Sequence, residues 1–135
     1  MVGVLVVSHS EDAAKGIRDI AAAMSGGARE VPIIGVGGDG EGGLGVSVPR
    51  IFGVLRDMLS ETDGVVIIPD LGSSVLSSRA AVALLDPADA ARSVIADAPV
   101  LEGAMMAAVE ASIGSDLAAV AKCASDARDL RKNDH

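Results

Sequence analysis

The chain has 135 residues, enough for one domain with a real core, and half of them are apolar while Phe52 is the sole aromatic residue. Its formal net charge of -8, from 19 acidic against 11 basic residues, gives no basic stripe for a nucleic-acid backbone or an anionic membrane surface. No apolar run approaches the ~18 residues of a membrane span, and the lone Cys123 offers neither a disulfide framework nor metal-ligand spacing.

The N-terminus enters a strand pattern at once, VGVLVV over 2–7, with no basic leader or cleavage site, which predicts a cytoplasmic protein. A helix follows at about 10–24, with Ile17, Ile20, Ala21 and Met24 on one face and Gly26 and Gly27 as its stop. VPIIGV (31–36) is a second strand, and the glycine-dense loop GGDGEGGLG (37–45) leads from it. Ser47 is placed to cap a helix over about 48–60, with Pro49 in its first turn.

GVVIIPD (64–70) is the third strand, LGSS leads into a helix over about 74–85, and SVIAD (93–97) is a short fourth strand. Pro99 opens a helix to about Ile113, and Ser115 caps a last one running to about Leu130. Cys123 and the pair Met105 and Met106 read as core or near-core packing, and His135 as a terminal residue of the polar tail 131–135. Strands alternating with helices predict an α/β domain over 1–130. It is doubly wound, with a mainly parallel sheet of four to five strands covered by helices on both faces.

In such a sheet, ligands gather beyond the carboxyl ends of the strands where strand order reverses, commonly between strands 1 and 3. Ser8, His9 and Ser10 end strand 1; Asp70, Gly72, Ser73 and Ser74 follow strand 3; the glycine loop lies on the same edge. A neutral imidazole is a nucleophile toward phosphorus. A carboxylate on its other nitrogen fixes the tautomer and steadies the positive charge that develops. His9 with Asp70 therefore reads as a phosphoryl-carrying pair that needs no metal, cofactor or nucleotide pocket.

A blander reading stands beside it. His9 fits an ordinary turn residue, Asp70 a turn residue before a glycine, and SHSE (8–11) a capping box with Ser8 as cap and Glu11 reaching back. Glu11 and Asp12 also oppose a phosphate nearby unless they point away. A third reading, a receiver domain phosphorylated on Asp70, lacks its strand-end lysine, because Lys122 falls in the last helix. GVGGDG (35–40) matches a dinucleotide fingerprint formally, but it follows the second strand and no helix opens directly after it.

VVSHS at the first strand end, the glycine loop running into GVSV, PDLGSS after the third strand, and APVLEGAMMAAVEA (98–111) together resemble the IIA family of the mannose-type phosphotransferase system. SHS and APVLEGA point to its dihydroxyacetone-kinase branch. The resemblance spans essentially the whole chain. It implies that His9 is the phosphorylated histidine and Asp70 its orienting carboxylate. Ser8, Ser10, Gly45, Ser47, Gly72 and Ser73 would form the phosphate surroundings. It further implies an HPr-like phosphocarrier protein as donor, ADP bound on a dihydroxyacetone kinase subunit as acceptor, and a homodimer. The acceptor would instead be a IIB protein in a mannose-type sugar transporter.

Overall fold

The computed structural model describes residues 1–26 and 30–133. The expected helix stop at Gly27 and the terminal His135 lie outside them. Among the described residues there are four strands, β1 (Val2–Ser8), β2 (Ile33–Gly37), β3 (Gly64–Pro69) and β4 (Ser93–Ile95). All pair in parallel in the order β2-β1-β3-β4, so the count settles at the lower of the two expected. The helices are α1 (Glu11–Ser25), α2 (Val48–Leu59), α3 (Gly72–Ala83), the short α4 (Pro87–Ala90), α5 (Val100–Ser112) and α6 (Leu117–Asp126).

The period-2 alternation of β1 and β3 divides the core between the two sheet faces. Val2, Val4, Val6, Val66 and Ile68 pack with alanines of α1 and α5 and with Val120 and Ala124 of α6. Leu5, Val7, Val65 and Ile67 face the other way, onto Ile51, Leu55, Met58 and Leu59 of α2 and Ala81 of α3. Each such valine or leucine taken from water contributes roughly 1.5–3 kcal/mol, so β1, buried at every position from Val2 to Ser8, anchors both layers.

Local signals misplace several boundaries. The last helix is capped by Asp116, whose side chain accepts from the Ala119 N–H, while Ser115 bonds Glu110; it ends at Asp126, and a 3-10 turn follows over Ala127–Asp129. Of the face expected for α1, Ala21 is buried and Ile17 packs against the core, but Ile20 and Met24 are exposed and Ala14 is buried with Ala21 instead. Small residues win there because α1 lies close on β2: a Cβ on Gly35 would stand 2.4 Å from the Ala14 carbonyl oxygen. Strand order reverses between β1 and β3, whose register ends at Val7 opposite Pro69. The two chains therefore leave the sheet side by side as His9 and Asp70.

Candidate functional site

The backbone first brings the pair together. The Asp70 N–H donates to the Val7 carbonyl at 2.9 Å, continuing the β1–β3 ladder past its last paired residues. His9 Nδ1 then lies 2.9 Å from Asp70 Oδ1, and the His9 backbone N–H donates to Asp70 Oδ2 at 3.1 Å. Both side chains are half-buried, 27% and 17% exposed, so the pair is shielded yet reachable.

Asp70 is surrounded by donors. Ser8 Oγ donates to Oδ2 at 2.9 Å, while Ser74 Oγ and the Leu71 N–H donate to Oδ1 at 2.6 and 2.7 Å. Burial alone would raise the carboxyl's pKa. Hydrogen bonds from Ser74, from the His9 backbone, from the His9 ring and from Ser8 outweigh it and lower the value from 3.8 to about 2. An ionised carboxylate only accepts, so Nδ1 carries the ring proton and the lone pair of the neutral imidazole resides on Nε2. Nε2 meets the hydroxyl of Ser73.

Ser73 belongs to the first turn of α3. Its N-cap Leu71 provides no side-chain bond to the first helical N–H groups; those of Ser74 and Val75 donate to the Leu71 carbonyl. A developing anion at Nε2 would thus meet a helix N-terminus and a hydroxyl. Two clefts flank the pair. One, about 510 Å³, runs from Asp70, Leu71 and Gly72 past Arg79 to Asp97 at the β4 end. The other, about 400 Å³, lies between Ser10, Glu11 and Asp12 and the glycine loop.

The remaining predicted residues take differing places. Ser8 is not a cap: it is buried, its hydroxyl turned to Asp70, and it accepts from the Ser10 N–H at 3.1 Å. Ser10 caps α1 instead, accepting from the Ala13 N–H. The Gly45 N–H donates to the His9 carbonyl at 2.8 Å, fastening the glycine loop to the histidine turn, and its φ of 138° suits a glycine. Ser47 caps α2, accepting from the Arg50 N–H, with no bond to His9 or Asp70. Gly72 opens α3 with free space where a Cβ would stand.

The first of the two acidic residues after SHS is also accounted for. Glu11 lies 3.3 Å from both Lys15 and Arg50, and these cations hold its carboxyl below the usual range. The other arm of Arg50 donates to the Gly37 carbonyl at 2.7 Å. The charge nearest the histidine turn is thereby countered. Ser74 is the residue that the sequence placed at this edge without assigning it a role in the site. Its signal was its position one helical turn after Asp70, which aims its hydroxyl back at the carboxylate.

A parallel α/β sheet with a His–carboxylate pair at its switch point, its Nε2 beside a helix N-terminus, is chemically suited to a phosphotransfer protein. The comparisons place it within that class. The family model EIIA-man, described as "PTS system fructose IIA component", matches residues 3–121, and the chain belongs to that family.

Among curated relatives it is 32% identical over 120 residues to "PEP-dependent dihydroxyacetone kinase 2, phosphoryl donor subunit DhaM" of Listeria innocua, covering 89% of this chain and 94% of that one. It is 31% identical over 118 residues to the protein of Providencia stuartii called "PEP-dependent dihydroxyacetone kinase, phosphoryl donor subunit DhaM". There the match covers 87% of this chain but only 24% of the relative's length. A solved structure titled "Crystal structure of unknown function protein EF1359" superposes with a TM-score of 0.78 at 32% identity, covering 93% of each chain. No helix among the described residues is long and apolar enough to cross a membrane.

Proposed function

We propose that this chain is a phosphohistidine carrier that feeds a dihydroxyacetone kinase, with His9 as the residue that is phosphorylated. The observation that carries the reading is the Nδ1–H bond to an ionised Asp70, which leaves Nε2 as the nucleophile. Listeria and Providencia relatives named as phosphoryl donor subunits support the acceptor.

In the first step the Nε2 lone pair forms an N–P bond as the N–P bond of a phosphorylated HPr-like donor breaks. Nδ1 keeps its proton and the ring becomes positive, steadied by Asp70. In the second step an oxygen of ADP, held on the kinase's nucleotide subunit, attacks phosphorus and the electron pair returns to Nε2. Catalysis is positioning and charge stabilisation: no proton changes place on the ring. Ser73 and the start of α3 receive the phosphoryl oxygens, and Ser8 fixes Asp70 from its far side. Ser10, Gly45 and Ser47 shape the turns around them. The carrier acts as a homodimer and is cytoplasmic, on this reading.

The test is to charge the protein with labelled phosphoenolpyruvate, enzyme I and HPr, then chase with an ADP-loaded dihydroxyacetone kinase nucleotide subunit, with His9→Ala as control. Label enters the wild type only, survives base, is lost in acid, and leaves on the chase. Label that enters but stays would move the acceptor to a IIB protein. Failure to label with a donor proven on a relative would overturn the carrier reading. Sedimentation of the loaded protein tests the dimer.

A further inference from the structure

Asp70 Oδ1 is over-subscribed. A carboxylate oxygen offers two lone-pair directions, yet three donors converge on this one: His9 Nδ1 at 2.9 Å, the Leu71 N–H at 2.7 Å and Ser74 Oγ at 2.6 Å. Ser74 makes the shortest of the three contacts, is fully buried, and lies 3.2 Å from Nδ1 itself. Of the bonds that lower the Asp70 carboxyl, that of Ser74 ranks first.

We propose that Ser74 is a positioning residue that sets how tightly Asp70 holds the His9 ring, and so how readily a phosphoryl group leaves Nε2. This rests on the carrier reading above. A hydroxyl drawing on the charge of Oδ1 weakens what remains for Nδ1–H. The positive ring of phosphohistidine is stabilised less, and the N–P bond breaks more easily as the pair returns to Nε2. Without Ser74, Asp70 grips the charged ring harder and the carrier keeps its cargo.

The other charged groups around this turn do not compete for the role. On α1, Glu11 is engaged by Lys15 and Arg50, and Asp12 is exposed; from α2, Arg50 reaches Glu11 and Gly37. None of them bonds Asp70 or the ring, so the competition for Oδ1 is between the backbone, Ser74 and His9.

The full-length protein with Ser74→Ala tests this through two readouts. In 15N-histidine-labelled protein, the Nδ1–H proton resonance of His9 moves downfield as its bond to Asp70 shortens. At equilibrium with phosphorylated HPr, label shifts toward His9 by about 3- to 10-fold, and release to the ADP-loaded acceptor slows in proportion. Ser74→Thr, which keeps the hydroxyl, moves both readouts back toward wild type. Ser78→Ala is the packing control, since Ser78 is equally buried one turn along α3 and its hydroxyl has no hydrogen-bond partner among the described residues.

An Ser74→Ala protein folded by circular dichroism, with resonance and partition unchanged, overturns the proposal. So does an equal shift in Ser78→Ala. If wild type takes no label at all, the carrier reading fails, while the Nδ1–H resonance still decides whether Ser74 governs the pair.

Discussion

Asp70→Asn is the sharpest perturbation of the site, because it preserves shape and removes charge. The amide oxygen is expected at the Oδ1 position, where three donors wait, keeping Nδ1 protonated. Its NH2 then faces Ser8, whose hydroxyl can turn to accept, and the His9 backbone N–H, which loses its partner. The ring's nucleophilic tautomer therefore survives, and what disappears is the charge opposite the phosphorylated ring.

At the 2.9 Å of this pair and an effective dielectric of 20, Coulomb's law gives about 6 kcal/mol. Water access to both half-buried groups brings this to roughly 2–4 kcal/mol, or about 30- to 1,000-fold in the rate of phosphoryl acceptance. Rapid-quench labelling from phosphorylated HPr measures it.

The same variant makes a second, independent statement about stability. The folded-state pKa of Asp70 lies below its ordinary value, so its contribution is complete above about pH 5 and is lost as pH falls through about 2. A depression from 3.8 to about 2 corresponds to about 2 kcal/mol. Urea denaturation should show the gap between wild type and Asp70→Asn narrowing by about that amount between pH 7 and pH 2. A gap independent of pH, or acceptance within threefold of wild type, would refute the reasoning that an ionised Asp70 drives the site.

Gly37→Ala puts a Cβ 2.5 Å from the Ser10 carbonyl oxygen and 2.7 Å from that of Ser8, backbone atoms that cannot swing aside. A loss of roughly 2–4 kcal/mol in denaturation, with slower labelling from a displaced His9 turn, is expected. Gly72→Ala meets nothing within 4 Å, and its melting temperature should hold or rise. Arg50→Ala leaves Lys15 alone to counter the Glu11 charge beside the incoming phosphoryl group, so labelling slows about 3- to 10-fold at low salt. Adding Glu11→Gln restores most of the rate, a coupling read by a double-mutant cycle. Ser10→Ala removes the α1 cap and costs about 1 kcal/mol by denaturation, with labelling near wild type.

The sequence made the centre of this site legible and its rim much less so. His9 and Asp70 could be paired on paper because both follow short apolar runs, and a parallel sheet commonly sets strands 1 and 3 side by side. Ser47 was readable as a cap because capping is local and Pro49 marks the helix start.

Ser8 misled for the opposite reason. Its local pattern favours a cap, yet its hydroxyl is claimed by a carboxylate 62 residues away, and buried charge outranks a helix end. Ser74 could be placed at the crevice but given no role, because its role depends on which oxygen of Asp70 it meets. The inward face expected for α1 was right at Ile17 and Ala21 and wrong at Ile20 and Met24, since hydrophobicity ranks those two above alanine, whereas the close approach of α1 at Ala14 to Gly35 demands a small side chain.

The β1–β3 ladder that ends in the Asp70 N–H to Val7 bond also has a meaning in time. His9 and Asp70 are 61 residues apart in the chain, and only the pairing of two distant strands brings them into contact. A ribosome that has released β1 and α1 has exposed the histidine but not its carboxylate, and a frayed or half-unfolded molecule separates them again. On the carrier reading, competence to take a phosphoryl group therefore arrives together with the central sheet. The labelling reaction would then double as a chemical probe of native structure, with the donor's high-energy groups kept for finished molecules.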